Sequence, residues 1–270
     1  MHQILAYIKF LFKSSNRHGV HSPFIYDLVT KCFYDKTTYE AYTILEKYRQ
    51  HLLNDEEIIT VTDFGSGSRV FKSNQRKVAA IAKNAGISPK RSQLLYRLVN
   101  YFQPKNILEI GTSLGIASSA MSLGNPKAKI ITLEGCPETS KVAKDAFDTF
   151  GLQNVELITT KFEDFFTHHP QPNTQHPKPK IHHPTPTYDL IYFDGNHQKE
   201  ATLDYFDTLL PTIHNDSVWV FDDIHWSAGM EEAWEKIKAH PSVTVTIDSF
   251  YWGLVFFRKE QRRQDFVIRV

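Results

Sequence analysis

Residues 106–122 read NILEIGTSLGIASSAMS, and the fold turns on them. An apolar run, NILEI (106–110), stops at Gly111. Gly111-Thr112-Ser113-Leu114-Gly115 makes a small, polar turn, and a helix-compatible stretch follows. A second apolar run, KIITLE (129–134), ends on Glu134 and is followed by Gly135. In a strand, glycine turn, helix, strand sequence, glycines let the backbone approach a ligand and leave free amides at a helix N-terminus. A carboxylate closing the second strand can accept hydrogen bonds from ribose hydroxyls. Ser113 stands where a dinucleotide fingerprint carries its second glycine. The resulting G-x-x-x-G spacing does not favour a pyrophosphate lying on this turn.

The alternation continues downstream. VELIT (155–159), YDLIYFD (188–194) and SVWVFDD (217–223) are short, nearly continuous apolar runs, as expected of parallel strands covered on both faces. The stretches between them have helical periodicity. Pro137 opens one helix, with Val142, Ala143, Ala146, Phe147 and Phe150 on one face, and Gly151 stops it. A second groups Leu203, Phe206, Leu209 and Leu210 before Pro211. A third groups Met230, Ala233, Trp234 and Ile237 before Pro241. Only SFYW separates VTVTID (243–248) from GLVFFRK (253–259), too few residues for a crossover, so these two runs form an antiparallel hairpin. The expectation is an α/β fold with a doubly wound, mostly parallel seven-stranded sheet and an antiparallel C-terminal hairpin. It occupies residues 86–270, and residues 1–85 form a helical N-terminal extension.

A rival glycine turn, Asp63-Phe64-Gly65-Ser66-Gly67-Ser68, has no second strand downstream and reads as a polar turn. Residues 168–187 hold six prolines and five histidines, a composition that forms neither a helix nor a central strand. They read as a surface insertion ahead of the run at 188–194, with an incidental transition-metal site as the alternative.

With 31 basic and 30 acidic residues in 270, the net charge is +1, which gives no global electrostatic footprint for nucleic acid or an anionic membrane. Hydrophobic residues at 41% can build a core of this size without staples. Two cysteines, Cys32 and Cys136, make no disulfide framework and suit a reducing cytoplasm. No stretch reaches the roughly 18 apolar residues of a membrane span. The N-terminal run, interrupted by Lys9 and lacking a small-residue cleavage site, does not read as a secretory signal. Ile4, Leu5, Ile8, Leu11 and Phe12 fall on one helical face, which implies packing on the domain itself or on a partner subunit, with a membrane-surface helix as the alternative. A homodimer through this region is one partner this suggests.

EIGTSLG with Glu134 ending the next strand resembles the first two motifs of class I S-adenosylmethionine-dependent methyltransferases. Within that class the likeness is to the metal-dependent catechol and caffeoyl-coenzyme A type of O-methyltransferase. SPKRSQLLYRLVNYFQPKNILEIG (88–111) resembles the segment leading into their cofactor loop. The resemblance covers about residues 86–260 and implies S-adenosylmethionine as cofactor and a small-molecule acceptor. It places Glu109, Gly111, Thr112, Ser113, Gly115, Glu134, Gly135 and Asp194 at the cofactor. Phe162 and Glu163 fall where the class contacts adenine, and Phe162 either stacks on the base or belongs to the core.

The resemblance also implies a cation. Asp194 ends the run at 188–194, and Asp222 and Asp223 end the run at 217–223. Those strands are neighbours in this fold, so three carboxylates converge, and they repel unless a cation lies among them. Magnesium or another divalent cation prefers such oxygen ligands. The catechol-type pattern has Asn where this chain has Asp223. The alternative is that Asp222 or Asp223 caps the following helix. His197 lies three residues after Asp194, at the offset where catechol-type enzymes carry a lysine base, and a neutral imidazole can take that role. The alternative is an exposed loop histidine. His225 and Trp226 either line an acceptor pocket or pack on the sheet. Two other functions fit the same residues: a metal-independent methyltransferase acting on RNA or protein, and a non-catalytic S-adenosylmethionine-binding protein.

Overall fold

A computed structural model describes residues 2–62, 64, 71, 73–168 and 187–270. Most of the rival turn at 63–68 and nearly all of the His/Pro-rich segment therefore lie outside the described residues.

Eight strands form one sheet. In chain order they are β3 (Asn106–Ile110), β4 (Lys129–Glu134), β5 (Val155–Thr159), β6 (Leu190–Phe193), β7 (Val218–Asp222), β8 (Val245–Asp248), β9 (Trp252–Phe256) and β10 (Gln264–Val267); β1 (Ile58–Thr60) and β2 (Gln75–Lys77) pair separately as an antiparallel ribbon. The order across the large sheet is β10-β8-β9-β7-β6-β3-β4-β5. Strands β3 to β7 run parallel to one another, and β9 is antiparallel to both β7 and β8. The seven expected strands are all present. The eighth, β10, adds a parallel edge beside β8, from a segment (QDFV) with too few apolar residues to announce itself.

Every residue of β6, β7 and β9 is buried, because helices cover both faces. The faces alternate along each strand. Ile107, Leu190, Tyr192, Val218 and Val220 pack on one side with α3 (Glu40–Leu53), α4 (Val78–Asn84), α5 (Pro89–Phe102), α6 (Ile116–Gly124) and α7 (Pro137–Thr149). Leu108, Ile191, Phe193, Trp219 and Phe221 pack on the other with α8 (Phe162–His168), α9 (Lys199–Leu209) and α10 (Ala228–Ala239).

The N-terminal 85 residues share the first core: Ile25, Leu28, Tyr48, Leu52 and Val78 are buried in the same cluster as the sheet. They include α1 (His2–Lys13) and α2 (Pro23–Leu28) as well as the β1–β2 ribbon, which the helical expectation did not contain. On α1, Ala6 and Phe10 are the buried residues, set against Phe250, while Ile4, Leu5, Ile8 and Phe12 stay exposed, Phe12 at 88%. Of the expected apolar stripe, Leu11 packs on this domain and the other four residues do not. Phe10 anchors the helix from the adjacent face instead, through ring contacts with Tyr7 and Phe250.

From β3 the chain moves to β4 and β5, then returns to β6 on the other side of β3. That reversal opens a crevice at the carboxyl ends of β3, β4, β6 and β7, where open α/β sheets bind ligands.

Candidate active site

The glycine turn is held shut from below. Gly111 has φ +102°, and a Cβ built there would lie 2.4 Å from the carbonyl oxygen of Asp194, so the ends of β3 and β6 touch backbone to backbone. Gly115, at φ +75°, leaves the space that a Cβ would contest with the Phe147 ring and the Tyr48 hydroxyl. Tyr48 donates to the Leu114 carbonyl (2.9 Å), so α3 of the N-terminal region buttresses the turn. Gly111 and Thr112 both donate to the Leu133 carbonyl.

Glu109 lies under this turn and is fully buried. Its Oε2 accepts from Ser118 Oγ and from Thr132 Oγ1 (2.5 Å), and Thr132 Oγ1 is 2.6 Å from Thr112 Oγ1. Glu109 Oε1 has no partner among the described residues. Burial pushes the carboxyl up to about 7, against the pull of the two hydroxyls. Glu109 and Thr112 thus pin the turn from inside, and neither they nor Gly115 line the crevice.

The residues that do line it enclose about 530 Å³, within the range of small-molecule sites. At one end Glu134 Oε2 accepts from the Ser113 amide (2.8 Å) and Oε1 from the Cys136 amide (2.9 Å), so the carboxylate ties the glycine turn to the start of α7. Ser113 reaches it with a positive φ of 48°. The Thr139 hydroxyl, also on the wall, is buried without a partner among the described residues. Gly135 is bare so that the Phe64 ring can lie against it: an added Cβ would be 2.7 Å from that ring. Thr62 N donates to Cys136 Sγ (3.4 Å), docking the chain after β1 onto this turn. Phe162 lies over Gly195, with an added Cβ 2.5 Å from its ring, and meets Tyr205 edge-on at 5.8 Å. Glu163 accepts from the Tyr205 hydroxyl (2.9 Å).

At the other end the acidic residues meet. Phe193 pairs with Phe221, so the next residues along, Asp194 and Asp222, stand side by side beyond adjacent strands. Burial, then Asp222, then Asp223 push the Asp194 carboxyl well above the usual range, and its carboxyl shares a hydrogen bond with Asp222. His197 Nε2 lies 3.6 Å from Asp194 Oδ1 and its ring faces Trp226 at 6.4 Å. Asn196, His197 and Asp223 all have positive φ, at 67°, 33° and 53°. Such conformations cost free energy in non-glycine residues and gather at functional loops. His225 turns away from the cavity: Nδ1 meets Glu231 (2.8 Å) and Nε2 meets Asp248 (2.9 Å).

A cation does lie at the carboxylates, but the chain supplies it. Arg91 Nη1 is 3.1 and 3.4 Å from the two Asp222 oxygens, and the Asp222 side chain is only 5% exposed. Asp222 Oδ1 also accepts from the Asp223 amide (2.9 Å). Among the described residues no group of three or more His, Cys, Asp and Glu side chains is arranged to hold a metal ion. Asp194, Asp222 and Asp223 line one cavity, with Asp222 engaged by Arg91 and Asp194 by Asp222.

Of the expected site residues, Gly111, Ser113, Glu134, Gly135, Phe162, Asp194, His197, Asp222 and Asp223 line one cavity. Arg91, Phe64, Tyr251 and Lys161 join them without having been singled out in the sequence.

Residues 108–224 match a family model described as "Methyltransferase domain". A catechol O-methyltransferase from Niastella koreensis is 37% identical over 75 residues, 27% of this chain and 34% of the relative. The chain thus spans about a third of the length of that curated relative. Among solved structures, the SAH-bound methyltransferase PaMTH1 of Podospora anserina has a TM-score of 0.58 at 15% identity, covering 89% of this chain and 97% of the other. The O-methyltransferase TomG from Streptomyces achromogenes, in complex with SAM, has a TM-score of 0.55 at 16% identity, covering 85% and 96%. Residues 108–224 are similar to a methyltransferase domain, and the chain has the class I methyltransferase fold of these solved structures.

Proposed function

We propose that this chain is an S-adenosylmethionine-dependent O-methyltransferase acting on a small molecule. The observation that carries the reading is the single cavity joining Glu134, Ser113 and Gly135 at one end to Asp194 and His197 at the other. Glu134 is fixed by two backbone amides at the strand end where a ribose would meet it. The Phe64 and Phe162 rings, lying on Gly135 and Gly195, give this end aromatic walls. Bound there, S-adenosylmethionine supplies a methyl group activated on sulfonium sulfur. The protein's task is to align the acceptor and take its proton. His197, 3.6 Å from Asp194, is the group placed for the second part. Trp226 and Tyr251 give the acceptor end apolar walls, and the curated relative and TomG are both named O-methyltransferases. No step is routed through a metal ion, because Asp222 is committed to Arg91.

Calorimetry with S-adenosylhomocysteine tests the reading. Wild type should bind it and ignore NAD. Glu134→Ala should weaken binding by about 1–3 kcal/mol, the loss of hydrogen bonds to a charged acceptor. Binding of NAD instead would leave the fold intact and sink the function.

The buried free thiols Cys32 and Cys136 suit the cytoplasm, and among the described residues no helix is long and apolar enough to cross a membrane. Exposed Ile4, Leu5, Ile8 and Phe12 support a homodimer through α1, which a solution mass measurement would test.

A further inference from the structure

We propose that Arg91 takes the place of a divalent cation in this site, compensating Asp194, Asp222 and Asp223 and presenting its remaining N–H groups to the acceptor oxygen. The proposal rests on the methyltransferase reading for the word acceptor, but not for the exclusion of metal.

Three observations carry it. First, Arg91 is seated where the carboxylates meet. Its Nη1 bridges both oxygens of buried Asp222, and all three aspartates act on its charge. Second, it is held on a further side: the guanidinium carbon lies 4.9 Å from the Tyr251 ring centre, at cation–π distance. Its backbone is fixed as well, since Ser88 caps α5 by accepting from the Arg91 amide. Third, the position works against local preference. The first turn of a helix favours acidic residues, because the N-terminal end of the helix dipole is positive. The first turn of α5 carries Lys90 and Arg91 and no acid. A residue that breaks a local rule is one whose reason lies elsewhere, and here the reason is Asp222.

A divalent ion and Arg91 compete for the same oxygens. To bind the ion, Asp222 would have to leave a guanidinium that is mostly buried, 24% exposed, stranding that charge. Among the described residues, Nε and Nη2 of Arg91 make no hydrogen bond, and Arg91 lines the cavity. Those donors can hold an acceptor oxygen and stabilise it as His197 removes its proton. A planar guanidinium is suited to that task.

Manganese titration followed by electron paramagnetic resonance tests the exclusion, with S-adenosylhomocysteine calorimetry run on the same samples. Wild type should leave Mn2+ free at millimolar concentration. Arg91→Met should take up one Mn2+ at least tenfold more tightly, and adding Asp222→Asn should abolish that uptake. Arg91→Lys, which keeps the charge, should leave Mn2+ free as wild type does. Turnover of wild type should be unchanged by EDTA and fall at least tenfold in Arg91→Met. Stoichiometric Mn2+ on the wild type, or none on a folded Arg91→Met, overturns the proposal. If Arg91→Met does not fold, the wild-type titration and Arg91→Lys decide alone. Failure to bind S-adenosylhomocysteine would instead strike the methyltransferase reading and leave the manganese result standing.

Discussion

Glu109→Gln separates a residue that holds the glycine turn from one that touches a ligand. The carboxyl is wholly buried and raised to about 7 from an ordinary 4.5, with burial the largest cause. The sign follows from proton counting. Between 4.5 and 7 the unfolded chain has lost this proton and the folded chain still holds it. Wild type therefore loses stability as pH rises through that window, and the loss is complete above 7. At 1.36 kcal/mol per pKa unit the full loss is about 3 kcal/mol, of which about 2 to 3 kcal/mol falls between pH 5 and pH 8. Glutamine mimics the protonated form. Its carbonyl can accept from Ser118 and Thr132 as Oε2 does, and its amide would take the place of the unpartnered Oε1. Urea unfolding of both proteins at pH 5, 6, 7 and 8 reads the difference. The variant should match wild type near pH 5 and be more stable by about 2–3 kcal/mol at pH 8. Affinity for S-adenosylhomocysteine should be unchanged. Parallel stability curves would refute the buried, protonated Glu109, and a large loss of affinity would place it at the ligand after all.

Gly111→Ala should lower stability by about 1–3 kcal/mol, the usual cost of a strained backbone position, because its Cβ would meet the Asp194 carbonyl oxygen at 2.4 Å; thermal unfolding measures it, and an unchanged midpoint would mean the two strand ends are not in contact. His197→Ala should lower turnover by roughly 10²–10⁴-fold while leaving S-adenosylhomocysteine affinity intact, and the deficit should shrink as pH rises and the acceptor ionises unaided. His225 is pulled down by burial but raised on balance by Asp248 and Glu231. Its clamp therefore stabilises fully below the ordinary imidazole value and weakens as pH rises through the raised one. His225→Gln should cost about 1–2 kcal/mol at pH 6 and progressively less above it by urea unfolding, and a cost independent of pH would show that the imidazole is neutral.

The sheet was legible because each strand repeats one signal, apolar residues buried on both faces, bounded by glycine, proline or a charge. The glycine-turn end of the cavity was legible for a related reason. Gly111, Glu134 and Gly135 are adjacent to strand ends, and parallel pairing brings strand ends together without further information. Asp194 and Asp222 follow the same logic through the β6–β7 register. Ligands that reach the site by other routes were not legible. Phe64 arrives because Thr62 docks on Cys136, a contact 74 residues away in the chain. Tyr251 comes from the turn before β9, in an aromatic pair, Phe250-Tyr251, that could as well be core.

Under the proposal for Arg91, the charge that the sequence assigns to a metal ion comes from a side chain. Convergent carboxylates demand positive charge. Nothing in the carboxylates says whether the charge is an ion or a side chain. The answer lay 131 positions earlier in the chain from Asp222, in one of 31 basic residues, on a helix whose length sets how far its first turn projects past the strand ends. The one local sign was an arginine and a lysine on a helix turn that favours acids. Read together with an acidic cluster, a cation on a helix turn that favours acids is a candidate partner. That pairing rule requires the fold to be known first, since only the α5–β3 connection and the sheet order put residue 91 beside residue 222.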